Sequence, residues 1–181
     1  MYNIAVILAG GIGARVGGML PKQLLPLADG RSVLEHAVSA FEQSPHIHEI
    51  CIVMHPDYIM HAEQMLLANA WQKVRHIIPG GKERWESSVN AIRLLGDKAM
   101  RQSGDEVNLL LHDAARPFVS QEIISNVCQA LEEHEAVVVA IPSTDTVYEM
   151  QDGKVARIPN RATIMRAQTP QAFRLPLIAK A

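Results

Sequence analysis

Arg15 and Lys22 stand out because of the loop that leads to them. Leu8-Ala9-Gly10-Gly11-Ile12-Gly13-Ala14-Arg15 is followed shortly by Pro21-Lys22-Gln23. Glycines let a backbone approach phosphate closely and turn its N–H groups toward it, because no Cβ intervenes. A guanidinium and an ammonium then meet the phosphate charge. The apolar run Ile4-Ala5-Val6-Ile7-Leu8 enters this loop directly. The expectation is a nucleoside triphosphate site at the end of the first strand. Its structural alternative is a glycine-rich turn that merely joins strand to helix.

Two familiar phosphate motifs fit this loop badly. A dinucleotide fingerprint starting at Gly11 and Gly13 would put its third glycine on Val16. It also expects an acidic residue about 20 positions on, after a second strand. Glu35 lies near that distance but inside a helical pattern. The Walker pattern fails because Lys22 follows a proline and precedes glutamine, not serine or threonine.

Further candidates follow other apolar runs. After Val74–Ile78 comes Pro79-Gly80-Gly81-Lys82-Glu83-Arg84, with Ser87 and Ser88 close behind. A glycine pair before a helix start suits holding a base or phosphate with backbone donors. Val107–Leu111 leads to His112-Asp113-Ala114-Ala115-Arg116-Pro117. Asp113 is placed to bind a hard cation such as Mg²⁺, directly or through water; its structural alternative is a turn or helix cap.

The elements that must position these groups alternate. Apolar runs at Ile4–Leu8, Ile50–Met54, Val74–Ile78, Val107–Leu111 and Ala136–Ala140 read as strands covered on both faces of a parallel sheet. Between them lie helical stripes: Leu34, Ala37, Val38, Phe41; Ile59, Ala62, Leu66; Trp85, Val89, Ile92, Leu95; and Ile124, Val127, Cys128, Leu131. Repeated βαβ units imply right-handed crossovers and a Rossmann-like three-layer α/β/α sandwich. In such sheets ligands gather beyond the carboxyl ends of the strands. After Ile141 the alternation breaks. Asp145–Met150 and Lys154–Ile158 flank Gln151-Asp152-Gly153, a strong hairpin signal. That hairpin reads as a β-arm over residues 142–162, with Val147, Val155 and Ile158 to bury against a neighbouring subunit or its own domain.

Bulk properties narrow the class. At 181 residues with 48% hydrophobic composition, a single folded domain over residues 1–181 is expected. A formal charge of −2 gives no general case for nucleic acid. Cys51 and Cys128 form no C-x-x-C pair and read as buried thiols in a reducing compartment. No apolar stretch is long enough for a bilayer, and no leader pattern precedes the first strand, so the expected location is cytoplasmic.

Taken in order, L-A-G-G-x-G-x-R with P-K-Q, G-G-K-E-R, H-D-A-A-R-P-F, D-T-V and A-Q-T-P-Q-A-F strongly resemble the cytidylyltransferases that make CDP-activated polyols. The nearest branches act on 2-C-methyl-D-erythritol 4-phosphate, for isoprenoid precursors, and on ribitol 5-phosphate. The resemblance implies that CTP and a polyol phosphate, with Mg²⁺, give a CDP-polyol and pyrophosphate. It assigns Arg15 and Lys22 to transition-state stabilisation, and Ala9, Gly10, Gly11, Gly81, Ser87 and Ala114 to CTP. Asp113 would organise metal and ligand, and Thr146 and Arg161 would position the polyol phosphate, often across a homodimer interface made by the arm. Residues His112–Pro117 resemble the methylerythritol branch. Leu8–Gly11, Pro26-Leu27 and Ile158–Arg161 resemble the ribitol branch. Methylerythritol phosphate is the first expectation, and a non-catalytic CTP-binding module is the reading from a different class. The family pattern continues for several tens of residues beyond T-P-Q-x-F, so against it a chain ending at Ala181 reads as C-terminally shortened.

Overall fold

Strand β1 (Tyr2–Ala9) is buried along its length after Tyr2, and its side chains divide between two apolar layers. Ala5, Ile7 and Ala9 face one core, while Ile4, Val6 and Leu8 face the other. That period of two, apolar on both sides, is what a central parallel strand requires. The computed structural model describes residues 1–11, 20–102 and 107–180, with the side chains of 97–102 excepted.

The remaining elements are α1 (Val33–Glu42), β2 (Glu49–Met54), α2 (Ile59–Asn69), β3 (Val74–Pro79), α3 (Arg84–Gln102), β4 (Val107–Asp113), α4 (Gln121–Glu133), β5 (Ala136–Pro142), β6 (Glu149–Gln151), β7 (Lys154–Arg157), β8 (Met165–Arg174) and the short α5 (Leu175–Ile178). The six-stranded sheet has the order β3-β2-β1-β4-β8-β5. Pairings β2–β3, β1–β2 and β1–β4 are parallel; β8 runs antiparallel to both β4 and β5. Helices α1, α2 and α4 pack on one face through Leu34, Phe41, Ala62, Ile124 and Leu131, whereas α3 and α5 cover the other through Ala91, Leu95 and Leu175. The result is the expected three-layer, mostly parallel α/β sandwich. Among the described residues no helix is long and apolar enough to cross a membrane.

Several expectations need correction. The run Ala136–Ala140 is not covered on both faces: β5 is an edge strand with Val138 and Ile141 exposed. Its neighbour β8 occupies the place of a further parallel strand and has no continuous apolar run to announce it. β3 is the opposite edge and is only partly covered. Trp85 does not belong to the buried stripe of α3. It is 65% exposed, and Ser88, Ala91 and Leu95 face the sheet instead. The hairpin strands are shorter than the pattern implied, and they form a sheet separate from the main one. Its turn is built as Asp-Gly demands, with φ of +50° at Asp152 and +74° at Gly153. Glu35 is accounted for by α1: Ser32 Oγ accepts from the Glu35 N–H at 3.2 Å, and the Glu35 carboxylate accepts from the Ser32 N–H at 2.7 Å. This capping box, and a 2.9 Å bond from Asn69 to the same carboxylate, use the acid that a dinucleotide ribose would need.

Candidate active site at the carboxyl ends of the strands

The loops that follow β1 and β3 meet over the end of β2, which lies between them in the sheet, and the backbone there is unusually close. A Cβ on Gly80 would stand 3.1 Å from the Gly10 Cα and 2.9 Å from Ser87 Oγ. One on Gly10 would meet the same hydroxyl at 2.9 Å. Two loops therefore abut glycine on glycine, leaving their peptide groups at the sheet edge without side chains between them. Backbone bonds fix the arrangement: Gly80 N–H donates to Met54 O at 2.8 Å, and Ala114 N–H to Leu8 O at 3.0 Å. Ser87 is buried, and its Oγ accepts from the Gly81 N–H at 3.1 Å. A Cβ at Gly81 would run into Glu86. Ala9 and Ala114 are buried where β1 and β4 end, while Gly11 is exposed.

Lys22 opens a short 3-10 turn, Lys22–Leu24, and is exposed. The buried neighbour that sequence reasoning left without a role is Gln23. Its carboxamide Nε2 donates to Ala9 O at 2.6 Å and to Gly11 O at 2.8 Å. It thereby ties the Pro21-Lys22 segment to the glycine loop after β1. The P-K-Q triplet marked the position, but only the fold shows where the amide reaches. Arg15 lies outside the described residues.

Asp113, at the last position of β4, is gripped from two sides. Arg84 Nε donates to its Oδ1 at 2.9 Å, and Arg116 Nε approaches its Oδ2 at 3.6 Å. Arg116 also donates to the Gln168 side chain. Both arginines stood in the quoted motifs, but only Arg116 shares its motif with Asp113; Arg84 comes from 29 positions earlier. Thr146 and Arg161 are exposed, on the segments entering and leaving the hairpin. Asn160 caps the turn that carries Arg161, its Oδ1 accepting from Ala162 N–H at 3.1 Å.

Beside Asp113 in the chain, His112 is fully buried and packs at a tilt against Phe41, with ring centroids 5.0 Å apart. Its Nε2–H donates to Arg116 O at 3.0 Å; the Thr169 hydroxyl donates to Nδ1 at 3.0 Å and accepts from the Asp113 N–H at 3.4 Å. A neutral ring with its proton on Nε2 satisfies that chain, and burial pushes the His112 pKa below its ordinary 6.5. As pH falls past 6.5, the unfolded chain takes up a proton that the folded one refuses. The stabilisation is complete above that value and is lost on acidification. Urea unfolding should show a midpoint that declines from neutral to mildly acid pH, with a shallower decline in His112→Gln. Equal declines in both proteins would remove His112 as the source. Both thiols are buried, and burial raises the Cys128 pKa to about 11, which makes it inert as a nucleophile.

Comparison with known proteins gives a consistent answer. The family model for 2-C-methyl-D-erythritol 4-phosphate cytidylyltransferase matches residues 3–181. The enzyme of that name from Thermobifida fusca is 43% identical over 182 residues, covering 98% of this chain and 71% of its own. A bifunctional ribulose 5-phosphate reductase/CDP-ribitol pyrophosphorylase from Haemophilus influenzae is 39% identical over 181 residues, but the match spans only 37% of it. Among solved structures, 4-diphosphocytidyl-2C-methyl-D-erythritol synthase from Anaerococcus prevotii superposes with a TM-score of 0.81 at 30% identity, covering 99% of this chain and 72% of that one. Together with the mostly parallel sheet and the glycine-lined strand ends, the match places this chain in the 2-C-methyl-D-erythritol 4-phosphate cytidylyltransferase family.

Proposed function

We propose that the chain transfers a cytidylyl group from CTP to 2-C-methyl-D-erythritol 4-phosphate. A phosphate oxygen of the acceptor attacks the α-phosphorus, a new P–O bond forms, and the α,β-bridging bond breaks to release pyrophosphate. The observation that carries this reading is the convergence of the Gly10 and Gly80 backbones beside Asp113 and its two arginines. In it, Ala9, Gly10, Gly11, Gly81, Ser87 and Ala114 line the nucleotide. Lys22 and Arg15 stabilise charge that builds on the α-phosphate, Arg15 by motif match alone. Asp113 meets the polyol, and Thr146 and Arg161 hold its phosphate. The acceptor phosphate is already ionised, so no general base is required and His112 is a structural group.

A protein-held divalent ion does not fit the donors present. Among the described residues no three His, Cys, Asp or Glu side chains stand together, and both Asp113 oxygens face guanidinium groups. Mg²⁺, which binds readily through substrate phosphates and water, would arrive with CTP. The arm is proposed to meet a second copy of the chain, since Tyr148, Met150, Val155 and Ile158 are all more than half exposed on it.

The deciding measurement is pyrophosphate release with CTP, UTP, GTP or ATP against methylerythritol 4-phosphate, ribitol 5-phosphate and hexose 1-phosphates. CTP with methylerythritol 4-phosphate should give the highest kcat/KM. Ribitol 5-phosphate is the acceptor to beat, given the Haemophilus relative. CTP binding without product from any acceptor would indicate a non-catalytic module. Sedimentation across a concentration series tests the arm; a monomer throughout would sink the dimer.

A further inference from the structure

We infer that the Arg84–Asp113 ion pair is a positioning latch that makes CTP and the polyol phosphate bind cooperatively, an inference that rests on the function proposed above. Arg84 is the first residue of α3 and lies between Gly81 and Ser87, both assigned to the nucleotide. Its side chain reaches across to β4 and donates to Asp113, assigned to the polyol, at 2.9 Å. One bond thus joins the residues assigned to the two substrates.

Each end of that bond is held by its own surroundings. On the nucleotide side, Gly81 N–H donates to Ser87 Oγ at 3.1 Å, Glu83 N–H to the Glu86 carboxylate at 3.1 Å, and Ser88 Oγ to Arg84 O at 3.3 Å. The backbone of Arg84 is therefore part of the loop that carries Gly81. On the acceptor side, Asp113 N–H donates to Thr169 Oγ1 at 3.4 Å, Arg116 supports the second carboxylate oxygen at 3.6 Å, and the strand is paired on both edges. A nucleotide that orders the 80–87 loop also orders Arg84, and through it the Asp113 carboxylate. A polyol seated on Asp113 acts back along the same bond.

The pair is poorly suited to a role in stability. Arg84 is 52% and Asp113 27% exposed by side chain, and ion pairs of that kind contribute little to folding. Its consequence lies in geometry and charge. Two guanidiniums around one carboxylate leave a net positive charge where an anionic acceptor must approach. Reciprocity requires that whatever factor the polyol phosphate lends to CTP affinity, CTP lends back.

The test is calorimetry with the α,β-methylene analogue of CTP and Mg²⁺, titrated with and without saturating methylerythritol 4-phosphate. In the unaltered protein the acceptor should tighten the analogue by about fivefold or more. In Arg84→Gln that factor should fall to about one, while affinity for the analogue alone stays within about threefold and the thermal midpoint is unchanged. Arg84→Met repeats the comparison if the glutamine variant is unstable, and Arg84→Lys, which keeps the charge, should recover part of the factor. A wild-type factor retained in Arg84→Gln or Arg84→Met overturns the latch, as does a wild-type protein that turns over both substrates without mutual effect on binding. A wild-type protein that releases no pyrophosphate from CTP and methylerythritol 4-phosphate would instead sink the underlying reading, and the latch with it.

Discussion

Lys22→Ala is expected to lower turnover about 10²- to 10³-fold, equivalent to a barrier higher by about 3–4 kcal/mol. The loss should fall on kcat more than on KM, because the ammonium matters most where charge builds up around the α-phosphorus. Lys22 is exposed at the start of its turn, so its removal should leave the urea midpoint nearly unchanged. Lys22→Arg should recover only part of the rate, since a planar fork does not reproduce a compact point charge. Near-normal steady-state kinetics in the alanine variant would take Lys22 out of the mechanism.

Gln23→Glu is the second large effect, and it acts through placement. The carboxamide is 2% exposed and its Nε2 serves two carbonyls, Ala9 O and Gly11 O. Glutamate keeps the shape but turns the donor into an acceptor, so oxygen would face oxygen in a buried pocket. A buried polar group left without its partner costs about 1–3 kcal/mol, and here more than one group is affected. Stability should therefore drop by about 2–3 kcal/mol, and turnover by roughly 10²-fold as the Lys22 turn loses its tie to the glycine loop. Equilibrium unfolding and single-turnover rates check the two halves separately. A variant that melts and turns over like the parent would show that the tie is dispensable.

Much of this was legible along the chain wherever the cause is local. Leu34, Ala37, Val38 and Phe41, like Ile124, Val127, Cys128 and Leu131, recur at helical spacing and are all buried against the sheet. Asp152-Gly153 demanded positive φ and has it. Trp85 misled because the buried positions at the start of α3 are Ser87, Ser88 and Ala91, which a search for large apolar residues passes over, while Trp85 itself is exposed. β8 was invisible for a different reason. Its Thr169-Pro170-Gln171 has no strand-like pattern, and one of its two pairing partners, Asn108–Leu111 on β4, is more than fifty positions away.

By itself, the order of residues determined the fold class and the family. Each depends on spacing within a short window: apolar period, glycine placement and ordered motifs. Only the tertiary structure decided that Gln23 braces the glycine loop, that His112 is a neutral strut, and that Asp113 is shared by Arg84 and Arg116. Arg84 lies 29 positions from Asp113 and Thr169 lies 57 from His112, so their meeting depends on how the elements pack; even the short-range contacts of Arg116 depend on the path of the turn after β4.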